Sequence, residues 1–157
     1  MEQRSAIRVG IDDLDGSAVR GLLEEHVRNM YEVSPPGSVH ALDLDGLKGP
    51  DITFWSAWEG DQLVGCGALK ELDSAHGEVK SMRTVTSQRG RGVAKTILAH
   101  IIAVARSRSY ERLSLETGSM DAFRPARTLY EKYGFSQCGP FGDYIDDPNS
   151  VYMTMYL

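Results

Sequence analysis

The apolar residues change period across one short stretch. Up to Val85 they alternate as in an extended strand. From Val93 onward, Val93, Ala94, Ile97, Leu98, Ile101, Ile102 and Ala105 recur at three- and four-residue steps. The first spacing suits a half-buried strand and the second suits one face of a helix. Between them lies VTSQRGRGVAKT (85–96), which holds Arg89, Arg91, Lys95, Gly90 and Gly92. A chain that passes through glycine into a helix leaves its first-turn amides without intrahelical carbonyls. Those donors, with the positive helix end, suit an anion such as a pyrophosphate. The same residues also suit a solvated basic turn at a helix start.

Three nucleotide-binding signatures come close to this stretch. A P-loop needs glycine directly before Lys95-Thr96 and another five residues earlier, but Ala94 and Arg89 stand there. A dinucleotide fingerprint matches at Gly90 and Gly92 and fails at Lys95, and its turn belongs to a parallel βαβ unit. The third pattern is R-x-x-G-x-A, formed by Arg89, Gly92 and Ala94, with the amphipathic helix directly after it.

The rest of the chain supplies the context. Ala6 to Ile11 reads as a strand with Ile7, Val9 and Ile11 on one face. A helix from about Asp15 to Val33 carries Val19, Leu22, Leu23, His26, Val27 and Met30 as a stripe. Ser34-Pro35-Pro36-Gly37 ends it. Val39 to Lys48 suits a short second helix or an ordered loop. Ile52–Glu59, Leu63–Glu71 and Glu78–Val85 are spaced as an antiparallel meander. After the basic loop and its helix come a strand at Arg112–Thr117, a helix at Ala122–Tyr133 closed by Gly134, and a final hairpin of Phe135–Cys138 with Val151–Leu157. The order is an α+β pattern with one central crossover helix. At 157 residues, with no dividing linker, the chain is expected to be a single domain over 1–157.

With this context the glycine loop closely resembles the acyl-CoA-binding motif of the GNAT N-acetyltransferase superfamily. EVKSMRTV, before the loop, resembles the family's fourth strand. ARTLYEKYGF, after the next strand, resembles its A-x-x-L-Y-E-K-x-G-F segment. Order and spacing match over about residues 78–138, and the remaining layout fits. The resemblance implies a mixed, mostly antiparallel central sheet flanked by helices, with strands four and five splayed around the cofactor. The wider pattern also looks like a bacterial small-molecule acetyltransferase branch.

The resemblance further implies acetyl-CoA as co-substrate. Its pantetheine arm would pair with the backbone of Met82, Arg83, Thr84 and Val85. Its diphosphate would lie on Arg89, Gly90, Arg91, Gly92, Val93, Ala94 and Lys95. A primary amine would attack the thioester directly, with no covalent enzyme adduct. Tyr130 matches the family's frequent general acid, and it shares a helical face with Ala126, Leu129 and Tyr133, which equally suits a core aromatic. Glu78 stands where some members carry a carboxylate base, Glu71 and Glu116 compete for that role, and a solvated strand-end glutamate is the plain alternative. Phe123 departs from the asparagine that many relatives hold there.

Acceptors in this family lie against the first helical region and the last hairpin loop. Here those are SPPGSVHALDLD and GPFGDYIDDPNS, with Asp43, Asp45, Asp143, Asp146 and Asp147. Such charge favours a cationic amine, and loop carboxylates facing water explain it equally well. Trp55 and Trp58, three apart on one strand, should face opposite sides. Cys66 and Cys138 have no neighbouring Cys or His at metal-ligand spacing, so reduced thiols and no metal are expected. A net charge of −5 gives no support to nucleic-acid binding. The N-terminal stretch lacks a signal peptide's apolar core and no run is long enough for a membrane span, so a cytoplasmic protein is expected. A small-molecule amine is the expected acceptor, and a homodimer is left open. Protein or peptide acetylation, or a non-catalytic acyl-CoA-binding module, are the rival readings.

Overall fold

The computed structural model describes residues 6–40, 42 and 44–157. Its centre is a seven-stranded sheet in the order β1-β2-β3-β4-β5-β7-β6. The strands are β1 (Ile7–Ile11), β2 (Ile52–Glu59), β3 (Gln62–Asp73), β4 (His76–Thr84), β5 (Arg112–Gly118), β6 (Ser136–Cys138) and β7 (Ser150–Tyr156). Neighbours pair antiparallel except β4 and β5, which run parallel. The parallel pair needs a crossover, and α3 (Val93–Ser107) supplies it. The other helices are α1 (Ser17–Val33), α2 (Leu44–Leu47) and α4 (Arg124–Lys132). This is the mixed α+β architecture expected from the sequence. The strand bounds move by one or two residues, and β3 and β4 extend towards each other to Asp73 and His76 because the turn between them is tighter than the polar run suggested.

Each face of the sheet buries its own core. Val93, Ile97, Leu98, Ile101, Ile102 and Ala105 of α3 pack on Trp55, Ala57, Val64 and Leu69, and Tyr130 of α4 joins them. Val19, Leu22 and Leu23 of α1, with Leu47 of α2, pack on Phe54, Leu63, Cys66 and Ala68 from the other side. The two tryptophans divide as their spacing required. Trp55 is in the α3 core, edge-on to the His100 ring, and Trp58 packs against the α1 core. Neither lines a cavity described below.

Ile11 is the exception to the β1 stripe: Ile7 and Val9 pack on the core, whereas Ile11 is 79% exposed. It is the last residue of the strand. Both cysteines are free, Cys66 buried and Cys138 half-buried. Among the described residues no helix is long and apolar enough to cross a membrane.

Candidate active site

The pairing of β4 with β5 stops at Val79↔Leu115, yet β4 continues to Thr84 and β5 to Gly118. The cause lies one strand away. Cys66 faces Arg83 and Ala68 faces Lys80, so Gly67 of β3 opposes two residues of β4, Ser81 and Met82. Such a bulge bends and twists its strand. Ser81 takes φ of 55°, rare without glycine, and its carbonyl accepts a bond from Cys66 Sγ at 3.3 Å. Gly67 makes room: a β-carbon there would come within 2.8 Å of Met82 Sδ and of Ile97. The bent strand leaves β5, and a cavity of about 730 Å³ opens between them.

One end of this cavity is the basic glycine loop. Gly90 and Gly92 have φ of 79° and 80°, and no side chain crowds either, so the demand on them is conformational. The first helical bond of α3 is Thr96 N–H to the Gly92 carbonyl at 3.0 Å. The amides from Gly90 to Lys95 therefore donate to no other described residue. Arg89, Gly90, Gly92, Val93, Ala94 and Lys95 line this end, and Met82, Arg83 and Thr84 line the strand side.

Arg91 and Val85 do not line it. The Arg91 guanidinium bonds Glu59 and Gln88 instead, because the turn at Thr86–Gln88 carries it to the β2 side. Val85 packs into the α1 core, and its amide bonds the Val64 carbonyl. The Arg83 guanidinium turns to α1, reaching Glu25 at 3.1 Å and Asn29 at 2.9 Å. What remains for a ligand at that position is the strand backbone.

Tyr130, projecting from α4, lines the same cavity and is 7% exposed. Its hydroxyl bonds no described residue. Burial first, and the Glu116 carboxylate second, push its phenol up to about 12. Glu116 of β5 lines the cavity too, and burial raises its carboxyl. Tyr133 packs against the core, with its hydroxyl 3.5 Å from the Lys95 carbonyl. The Phe123 ring lies so close over Gly118 that a β-carbon there would meet it at 2.2 Å. Phe123 thus closes the cavity wall sterically and has no polar side-chain atom to offer.

Glu78 is 2% exposed and far from a solvated strand end. Its Oε2 accepts from the Tyr144 hydroxyl at 2.6 Å and from Lys80 Nζ at 3.2 Å. Tyr144 comes from the β6–β7 loop, and the His40 ring meets it edge-on at 5.0 Å. Beyond this group lies a second cavity of about 770 Å³, whose lining includes Asp51, Glu71, Asp143, Asp146 and Asp147. Asp147 ties the two loops together by accepting from Ser38 Oγ at 2.6 Å. Glu71 lines only this second cavity and accepts from the Tyr110 hydroxyl. Asp45 sits exposed on α2 away from both cavities. Asp43 is outside the described residues.

Sequence reasoning gave no role to Lys80, Tyr144 or His40. His40 and Tyr144 do fall within the acceptor segments SPPGSVHALDLD and GPFGDYIDDPNS, and Lys80 within EVKSMRTV two residues from Glu78.

A sheet split between two parallel strands, with free helix amides at one end of the split, is the architecture of an acyl-CoA-dependent transferase. Residues 19–135 match the family described as "Acetyltransferase (GNAT) family", and the chain belongs to that family. It is 62% identical to the uncharacterized N-acetyltransferase YsnE of Bacillus subtilis over 96% of this chain and all of that one. Identity to YedL of Escherichia coli, also named an N-acetyltransferase, is 51% over 93% of this chain and 92% of the relative. Among solved structures, an acetyltransferase from Streptococcus agalactiae aligns with a TM-score of 0.72 at 19% identity, covering 96% of this chain and 98% of that one. A GNAT acetyltransferase from Elizabethkingia anophelis, solved with acetyl-CoA bound, aligns at 0.67 and 16% identity over 96% and 98%. This chain is an acetyltransferase of the same fold.

Proposed function

We propose that the protein moves an acetyl group from acetyl-CoA to the primary amine of a small molecule. The carrying observation is the split beyond Val79↔Leu115, which opens a cavity of about 730 Å³ reaching from the amides of Gly90–Lys95 to Tyr130.

When bound, acetyl-CoA supplies an activated thioester. The amides of Gly90 to Lys95, with Arg89 and Lys95 beside them, grip its diphosphate. The β4 backbone at Met82–Thr84, released from β5, pairs with the extended arm, and an amide at the bulge polarises the thioester carbonyl. Tyr130, like any phenol, holds its proton at neutral pH, and it lines the cavity where it can donate that proton to the departing thiolate. The acceptor enters from the second cavity, whose carboxylates favour a positively charged amine. Its ammonium must lose a proton before attack. Glu78 and Glu116 both line the cofactor cavity, and both present donors to Glu78 sit on Oε2, which leaves its Oε1 to accept the proton.

Thiol release on a broad amine panel, with lysine peptides in competition, tests this reading. Acetylation of small amines in preference to peptides supports it. Peptide preference replaces it with protein acetylation. Acetyl-CoA binding without transfer to any amine replaces it with a binding module.

A further inference from the structure

His40, Glu78, Lys80 and Tyr144 line both cavities. Two of them form an ion pair, Lys80 Nζ to Glu78 Oε2 at 3.2 Å, with side chains 9% and 3% exposed. A pair withdrawn from water to this extent recovers its lost hydration only in part, and well-packed apolar residues would hold the strands at least as firmly. Stability is therefore a weak reason for it. Its place is a better one, since it stands where the acceptor's path meets the cofactor cavity. Lys80 Nζ has two further oxygens near it, Tyr144 Oη at 3.0 Å and the His40 carbonyl at 3.5 Å.

We propose that this junction selects acceptors carrying a carboxylate beside the amine, amino acids being the simplest class, and that Lys80 binds that carboxylate. The proposal rests on the acetyltransferase reading above. An amino acid exchanges the internal pair for two intermolecular ones, its carboxylate on Lys80 and its ammonium on Glu78. No charge is left alone in a buried place. A plain amine that binds Glu78 Oε1 makes one buried carboxylate serve two cations, and that surplus positive charge, which an amino acid's own carboxylate cancels, is unfavourable in so buried a place. His40 adds to the carboxylate side: its Nε2 is buried without a partner, and its ring is set by edge-on contact with Tyr144. The remainder of the acceptor extends into the second cavity. There Asp143, Asp146 and Asp147 disfavour a second carboxylate, so monocarboxylic amino acids are preferred to dicarboxylic ones.

The test measures kcat/KM by thiol release for the common amino acids, their primary amides and the corresponding decarboxylated amines. In the wild type the best amino acid should exceed its amide and its amine by about tenfold or more, as expected for a bond between two charged groups. In Lys80→Met that preference should shrink to within about twofold, chiefly through KM, and Lys80→Arg should restore it. A merely structural role would lower all three substrates together. Equal or faster turnover of the amines by the wild type overturns the proposal, as does a preference that survives Lys80→Met. Should that variant not fold, the wild-type series alone decides. Transfer to amines regardless of carboxylate overturns this inference and leaves the acetyltransferase reading standing; binding of acetyl-CoA with no transfer at all overturns both.

Discussion

Tyr144 donates a 2.6 Å hydrogen bond to Glu78 across 66 residues of chain. The Glu78 carboxylate pushes the Tyr144 phenol further up after burial has already raised it, so the tyrosine stays a donor. A loop residue thereby completes the environment of a β4 carboxylate. The Tyr144→Phe variant leaves Glu78 with Lys80 alone and should lose about 1–3 kcal/mol of stability by urea denaturation. An unchanged midpoint would show that this bond is not made in solution.

Tyr130→Phe removes the proposed proton donor and keeps the ring that meets Phe135 edge-on at 5.8 Å. Its kcat should fall by about 10²-fold, with acetyl-CoA affinity retained. Because the wild-type phenol is pushed up to about 12, an alkaline loss of rate below pH 10 belongs to another group. An unchanged rate across the pH range would remove Tyr130 from the chemistry.

The basic loop separates two arginines that look alike in sequence. Arg89→Gln should weaken coenzyme A binding about tenfold by calorimetry, since Arg89 lines the cavity. Arg91→Gln should leave that affinity near the wild-type value, because its guanidinium is held by Glu59 and Gln88. Gly92→Ala, forced into left-handed backbone, should cost about 1–2 kcal/mol of stability.

Gly65 lies under α3 beside the bulged strand. A β-carbon there would approach the Arg83 carbonyl and Val93 Cγ1 at 2.8 Å. Gly65→Ala should destabilise by about 1–3 kcal/mol in chemical denaturation and also weaken coenzyme A binding, as β4 shifts. Full retention of both would argue against tight packing at this point.

His26 gives the fold an acid sensitivity. Burial, then the Arg83 charge, lowers it from 6.5 to about 4. Between those values the unfolded chain binds more protons than the folded one. Stability is therefore complete above about pH 6.5 and falls as the pH drops towards 4, by on the order of 3 kcal/mol. His26→Leu should flatten that limb when urea midpoints at pH 7 and pH 5 are compared, and an unaltered slope would assign it elsewhere.

Period and punctuation in the sequence were enough for the order of the elements, and the family resemblance added the splayed sheet. The change of spacing at Val85–Val93, the meander before it and Gly134 after α4 each fix backbone geometry through nearby residues, and local chemistry is what a sequence displays. The same holds for the amides of Gly90–Lys95, whose availability follows from a helix start. Tertiary structure alone decided which way Arg91 points, that Val85 belongs to the core, and that Glu78 is enclosed by Lys80 and Tyr144. These depend on strand register, on one bulge opposite Gly67 and on a loop closing from far along the chain. Side-chain direction and partnership are settled by what packs alongside in space, and separation in sequence hides that.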